Sequence, residues 1–342
     1  MSSIAKISER TGLAISTVAG VLRNAPGFSA STRDRVLRVA EEIGYRPNFL
    51  SKALAGGKSM TIGVLGCWLT SPSIAMKLES IESTSRKAGY LCYLASAEFE
   101  NADAQVSHLR GLLDRRVDGL ILDYVVVPPP LEVLELLRKS RVPHVFMDWA
   151  PDGVPNRVTV NRRAGFDETA RHLASLGHKR VAYVSAQYDL DHPQLKFYPY
   201  KASLESVGIQ VEFGGQWSLG SNFADMAQEA YRVVKRQLSG PPAERPTALI
   251  LVNDANAMAA LRAAQDLGLD VPRDLSIVGF DDLPFSAMSR PSLTTVHQPR
   301  SQVGELAFDA LLKLMQDADA DISPIDLPCH LVVRESTGPA RR

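Results

Sequence analysis

The chain changes character once, near residue 60, and that break limits every fold open to it. Before it, apolar residues recur at the spacing of short helices; after it, short apolar runs alternate with amphipathic stretches. A single small core cannot serve 342 residues, so two or three domains are expected.

Ser3 can cap a helix from Ile4 to Arg10, and Thr11-Gly12-Leu13 forms a turn in which Gly12 suits a positive φ. A second helix, Ile15 to Leu22, turns Val18, Val21 and Leu22 inward, and Asn24-Ala25-Pro26-Gly27 breaks the chain. Ser29 then caps a third helix with an apolar stripe of Val36, Val39, Ala40 and Ile43. Two helices meeting at a short Gly-containing turn and braced by a third leave the outer face of the second free to enter a major groove. A three-helix bundle that binds a protein fits the same pattern. Arg46-Pro47 forces extended backbone, Asn48 can cap a short helix from Phe49 to Ala55, and Gly56-Gly57 ends it. That segment, with Lys52 and the apolar Leu54, is too short to stand alone and should order only against DNA and a second copy of itself.

Charge follows the same division. The net formal charge is zero, but residues 1–60 hold nine Lys/Arg against four acids, so the head is +5 and the rest −5. Only the head is expected to seek a polyanion. The three cysteines, Cys67, Cys92 and Cys329, are dispersed and form no metal or disulfide pattern, which suits small buried residues in a reducing compartment. There is no signal-peptide pattern and no apolar run of spanning length, so a cytoplasmic protein is expected, with no membrane partner.

Beyond residue 60, strands are read at Thr61–Leu65, Tyr90–Ala95, Gly119–Asp123, His144–Asp148, Val181–Ser185, Ala248–Val252 and Ser276–Phe280. Continuous apolar strands separated by helices argue for parallel sheets covered on both faces, and their number suits two doubly wound lobes better than one sheet. Ligand would then lie at the carboxyl ends of the strands. The patterns of an enzyme are missing. Gly57-Lys58-Ser59 has the end of a phosphate loop, but the motif needs Gly where Lys52 stands; no GxGxxG follows a strand and no GxSxG elbow occurs. His178 reads as a turn residue before a strand, and Asp281-Asp282 lacks a third metal ligand nearby, so neither metal nor cofactor is expected.

The chain resembles the LacI/GalR family of bacterial repressors. The matching stretches begin with Thr17-Val18-x-x-Val21-Leu22, Gly44-Tyr45-Arg46-Pro47-Asn48, Leu54-Ala55-Gly56 and Thr61-Ile62-Gly63-Val64. They continue with Arg115 to Ile121, Leu176 to Ala182, Ser276 to Asp282, Pro291 to Val296 and Val333 to Ser336, so the resemblance runs through nearly the whole chain in order. It implies an all-α helix-turn-helix head with a hinge helix, and an α/β periplasmic-binding-protein-like body of two doubly wound parallel-sheet lobes. The expected division is 1–46 for the head, 47–60 for the hinge and 61–342 for the body, with the chain crossing between lobes near residues 160, 291 and 323.

By the same resemblance, Ile15 and Ser16 read base edges, Thr17 and Asn48 approach phosphates, Lys52 and Ala53 belong to the DNA-bound hinge, and Leu54 wedges into the minor groove of a palindromic operator in double-stranded DNA. The effector-binding positions are Ser73, Ile74, Asp148, Lys196, Trp217, Asn253 and Asp281. A core role for Trp217 and a surface-acid role for Asp281 stay open. The implied protein is a homodimeric repressor, paired through apolar faces of Ile74–Ala88, whose small-molecule effector is a sugar or related metabolite, an anionic one included. No leucine heptad follows Ser336, so no tetramerising tail is expected. A regulator controlled by a protein partner keeps the same fold, and a solute-binding protein would share the body alone.

Several positions depart from the family. Ala14 replaces a capping Ser, Ala19-Gly20 replaces Ser-Arg, Asn161-Arg162 replaces Asp-Asn, Lys196 replaces Arg, Pro199 replaces Gly, and Trp68 stands where a small acid is common. The Gly20 departure removes an arginine that would contact DNA, so an operator outside the common consensus is expected.

Overall fold

The computed structural model describes residues 4–22, 25–45, 58–66, 69–96, 101–123, 129–151, 153–186, 189–190, 196–220 and 225–341. The expected hinge helix Phe49–Ala55, with Asn48, Lys52, Ala53 and Leu54, lies outside the described residues, as do Ser3, Cys67 and Trp68. The chain divides into two compact units, Met1–Ser59 and Met60–Arg342.

The first unit holds helices α1 (Ile4–Thr11), α2 (Ile15–Leu22) and α3 (Ala30–Glu42). Ile7, Val18, Val21, Val36 and Ala40 form its core, with Leu13, Phe28 and Tyr45 packed around them. The α1–α2 turn is pinned by the Ser8 hydroxyl, which donates to the Leu13 carbonyl at 2.6 Å, and Gly12 takes φ +64 there. The Ser29 hydroxyl accepts from the Thr32 amide at 3.2 Å and so caps α3.

The second unit is built on two sheets. In the first lobe β1 (Thr61–Gly66), β2 (Leu91–Ser96), β3 (Gly119–Asp123), β4 (His144–Asp148), β5 (Arg157–Asn161) and β12 (Ile325–Pro328) run in the order β12-β5-β4-β3-β1-β2, all parallel. In the second, β6 (Arg180–Ala186), β7 (Gln210–Glu212), β9 (Ala248–Leu251), β10 (Ser276–Asp281), β11 (Thr294–His297) and β13 (His330–Val332) run β13-β11-β10-β9-β6-β7; β8 (Ser218–Leu219) joins β6, and only β13 is antiparallel. Every residue of β3, β9 and β10 is buried, as expected of strands covered on both faces. Strand order reverses between β1 and β3 in one lobe and between β6 and β9 in the other, which places a crevice at those carboxyl ends.

The sheets are flanked by the helices α4 (Pro72–Lys87), α5 (Ala102–Asp114), α6 (Leu131–Ser140), α7 (Arg162–Ser175), α8 (Phe197–Ser206), α9 (Met226–Leu238), α10 (Asp254–Asp266), α11 (Pro284–Met288) and α12 (Arg300–Gln316). Among the described residues no helix is long and apolar enough to cross a membrane.

The chain passes between the lobes at Asn161–Arg162, between His297 and Arg300, and at Cys329. The last two crossings correct the sequence reading. β11, read as part of the first lobe, pairs with β10 in the second; β12, read as part of the second, pairs with β5 in the first. The partner of each strand decides its lobe, and no local pattern names that partner. The first and third crossings are held side by side by the Cys329 amide, which donates to the Asn161 carbonyl at 3.0 Å.

Candidate functional site

In the head, α2 presents two faces. Val18 and Val21 are sealed in the core, whereas Ile15 is 57% exposed, Ser16 is exposed and Thr17 half-buried. An isoleucine left in water at the first turn of a helix gains nothing for the head itself, but it can meet the methyl of a thymine. Gly20 has a packing role besides. It is buried, and a Cβ placed there would lie 2.5 Å from the ring of Phe28. Phe28 therefore fills the space that a longer residue at position 20 would need, and the absence of an arginine is a packing arrangement as well as a lost contact.

The second site is assembled at the carboxyl ends of both sheets. Lys77, on α4, is buried among the first lobe's strand ends; its ammonium pairs with Asp123 at the end of β3, at 3.2 Å, and with Asp148 at the end of β4. The other oxygen of Asp148 takes the guanidinium of Arg162, the first residue past the first crossing. Burial alone would raise the Asp148 carboxyl, but Arg162 and Lys77 outweigh it and hold it down to about 2. At Asp123 burial prevails over Lys77, and the carboxyl is pushed up to about 6.

Across the crevice, Asp281 ends β10. One of its oxygens accepts from the Ser73 hydroxyl of the first lobe at 3.2 Å and from the Gln298 amide at 2.5 Å. It is buried, not a surface acid, and burial raises its pKa against the pull of Lys196 and Arg300. Lys196 donates to the Val252 carbonyl at 2.9 Å, sits 4.2 Å from the centre of the Phe280 ring, and is pushed below its ordinary value by burial. Arg300 donates to the Asp282 carbonyl at 3.0 Å, while Asp282 itself pairs with Arg334 at 2.5 Å and His297 at 2.9 Å. Asp148, Asp281 and Asp282 all hold left-handed backbone, with φ of 69°, 125° and 56°. Non-glycine residues avoid that region, so two strand-ending aspartates and the one that follows, all held there, mark a functional crevice.

Of the seven positions read from sequence, Ser73, Asp148, Lys196 and Asp281 are joined in this network, and Ile74 is buried beside Ser73 on α4. Asn253 caps α10, its side-chain oxygen accepting from the Asn256 amide at 2.8 Å. Trp217 takes a core position in the second lobe with Leu219, Met226 and Val233, and its indole N–H donates to Glu212 at 3.3 Å. Lys77, Asp123, Gln298 and Arg300 were not singled out from sequence. Two signals point to them: a lysine in the buried stripe Ser73, Ile74, Lys77, Ser80 and Ile81 of α4, and an aspartate closing an apolar strand, the pattern shared by Asp148 and Asp281.

Residues 3–48 match the description "Bacterial regulatory proteins, lacI family", and residues 170–337 match "Periplasmic binding protein-like domain". The chain is 32% identical to the catabolite control protein A of Priestia megaterium, over 98% of this chain and 99% of that one. It is 29% identical to the HTH-type transcriptional repressor PurR of Aliivibrio fischeri, over 98% of each, and 30% identical to the ribose operon repressor of Escherichia coli, over 91% and 92%. Its fold is similar to that of the Lac repressor dimer bound to operator and the anti-inducer ONPF, with a TM-score of 0.86 at 28% identity, covering 98% of this chain and 99% of that one.

Proposed function

The chain belongs to the lacI family of bacterial regulatory proteins, and from that membership we propose that it is a dimeric, sequence-specific repressor whose operator affinity is set by a small metabolite bound between its lobes. The observation that carries this reading is the two-faced α2. Its inner face completes the head's core, and its outer face offers Ile15 and Ser16 to a partner. In this reading Ile15 and Ser16 meet base edges and Thr17 a phosphate. Asn48, Lys52, Ala53 and Leu54 belong to the hinge of residues 47–60, with Leu54 as the minor-groove wedge.

The effector arm rests on the Ser73–Asp281 hydrogen bond, which ties one lobe to the other through groups a ligand could claim. Ligand that competes for Asp281, Lys196 and Asp148 shifts the lobes. A coupling of about 1–3 kcal/mol suffices to change operator occupancy several-fold or more. Dimerisation is supported by β2, an edge strand that leaves Leu91 70%, Tyr93 44% and Leu94 42% exposed beside α4. The dimeric solved relative bound to operator supports the same assembly.

Selection of bound sequences from random duplex DNA tests the reading. Recovery of a palindrome is expected, and its affinity should fall steeply with salt as the basic head releases counterions. A full-length protein that enriches no sequence over scrambled competitor sinks it.

A further inference from the structure

We infer that the crevice is built for an oxyanionic metabolite, a sugar-sized molecule carrying a carboxylate or phosphate, and not for a neutral sugar. The inference rests on the interlobe crevice being the effector site.

A neutral sugar is held largely through its hydroxyls, which donate to side-chain carboxylates. Here most of those acceptors are already occupied by the chain itself, one exception being Oδ2 of Asp123, which is buried without a partner. Asp148 gives one oxygen to Lys77 and the other to Arg162; Asp123 gives an oxygen to Lys77; one oxygen of Asp281 takes both Ser73 and Gln298. The groups left over in this cluster are mainly donors. The Nε of Arg162 and the Nε and Nη1 of Arg300 are buried with no hydrogen-bond partner. Among the described residues no carboxylate comes within ion-pair distance of the Lys196 ammonium, which makes do with a carbonyl and an aromatic face. Buried donors without acceptors are costly, and charged ones more so. An oxyanion supplies the acceptors such donors lack, and guanidinium forks match its paired oxygens.

A cavity of about 310 Å³ opens beside Asp148 and Arg162, the members of this cluster on its wall, with Trp149, Arg157, Arg163 and Asp326. It is of a size for a small metabolite, and its wall carries three arginines against two carboxylates, Asp148 and Asp326. Lys77 is thereby a specificity-determining residue. By pairing with Asp123 and Asp148 from α4 it takes up part of the wall's capacity to accept hydroxyls.

The test uses the full-length protein at constant ionic strength, read by intrinsic tryptophan fluorescence, with Trp149 on the cavity wall, and by thermal shift. The probes are glucose, gluconate, glucose 6-phosphate and inorganic phosphate. Gluconate or glucose 6-phosphate should bind at least about tenfold more tightly than glucose, and weakening by inorganic phosphate alone would identify the phosphate arm. Lys196→Gln and Arg300→Gln should each weaken the preferred acid by about ten- to a hundredfold while Lys196→Arg largely retains it. Circular dichroism of each variant separates this loss from misfolding, and Trp149→Phe checks the optical signal. Glucose binding as well as or better than the acids, silence with every probe, or affinity for the acids untouched by both variants overturns the inference. Operator selection is measured separately, so the repressor reading can stand while this one falls.

Discussion

Asp254 carries a pH dependence that one residue can reveal. Its carboxylate is buried and accepts from the Leu283 amide at 2.8 Å and the hydroxyls of Ser286 and Thr295 at 2.6 and 2.5 Å. Burial, with the nearby charge of Asp281, nonetheless raises it from 3.8 to about 6. Because the folded value lies above the unfolded one, the charged form is disfavoured in the native state. The penalty is absent below the unfolded value, grows as pH rises to about 6, and is constant beyond, on the order of 2–3 kcal/mol. Asp148 works in the opposite sense: its contribution is full above the unfolded value and is lost as pH falls toward about 2. Denaturant melts between pH 4 and 7 should therefore show a smaller decline of stability with rising pH for Asp254→Asn than for the parent. Identical slopes would mean that Asp254 does not titrate in that window.

Ile15 offers a second test at the same scale. Its side chain is exposed in the head, so Ile15→Ser should leave the unfolding free energy of the free protein within about 0.5 kcal/mol of the parent while weakening operator binding by about 1–3 kcal/mol. A variant that loses stability but not affinity would assign Ile15 to the head's own packing.

Between elements, α12 packs closely on α4 at Gly304. A Cβ at Gly304 would come within 2.7 Å of the Lys77 carbonyl and of the Ser80 hydroxyl, and the backbone there cannot swing aside as a side-chain tip can. Gly304→Ala should gain about 1 kcal/mol of helix propensity and lose more to the clash, for a net destabilisation of about 1–3 kcal/mol. An unchanged or raised melting temperature would show that the two helices can separate freely. The residue is also a lever on the crevice, since displacing α4 displaces Lys77 from its two aspartates.

How far the elements could be read from sequence follows from the same packing. β1, β3, β4, β6, β9 and β10 announce themselves because both faces are covered and the apolar run is unbroken. β11 is different. Thr294 and Thr295 are wholly buried yet polar, their hydroxyls satisfied by the Arg334 carbonyl and by Asp254, and those partners are distant in sequence. The same holds for Gly20, whose meaning depends on Phe28 across a loop, and for Gln298 and Arg300, which enter the crevice only because a crossing passes there. Strand-end aspartates were legible as a class. The cations that neutralise them were not, because charge pairing between α4 and two strands leaves no periodic trace.

For the whole molecule, the exposed β2 edge predicts its assembly. Leu91 and Tyr93 project from the same face of an unpaired edge, and a protein that kept this surface in water would invite aggregation. Leu91→Lys should raise the dimer dissociation constant by about tenfold or more in analytical ultracentrifugation, and weaken operator binding with it, while leaving the melting temperature of the monomeric body nearly unchanged. A monomeric parent protein would remove the interface altogether.

The interleaving of the two lobes also constrains how the chain is made. The first lobe's sheet closes only when β12, at Ile325–Pro328, docks on β5, some 160 residues upstream. A ribosome therefore releases the three-helix head early, as a small unit with its own core, but must carry the sensor almost to completion before either sheet has all its strands. During that interval the flank of β5 is an open template in the nascent chain, so the body should depend on chaperones more than the head does.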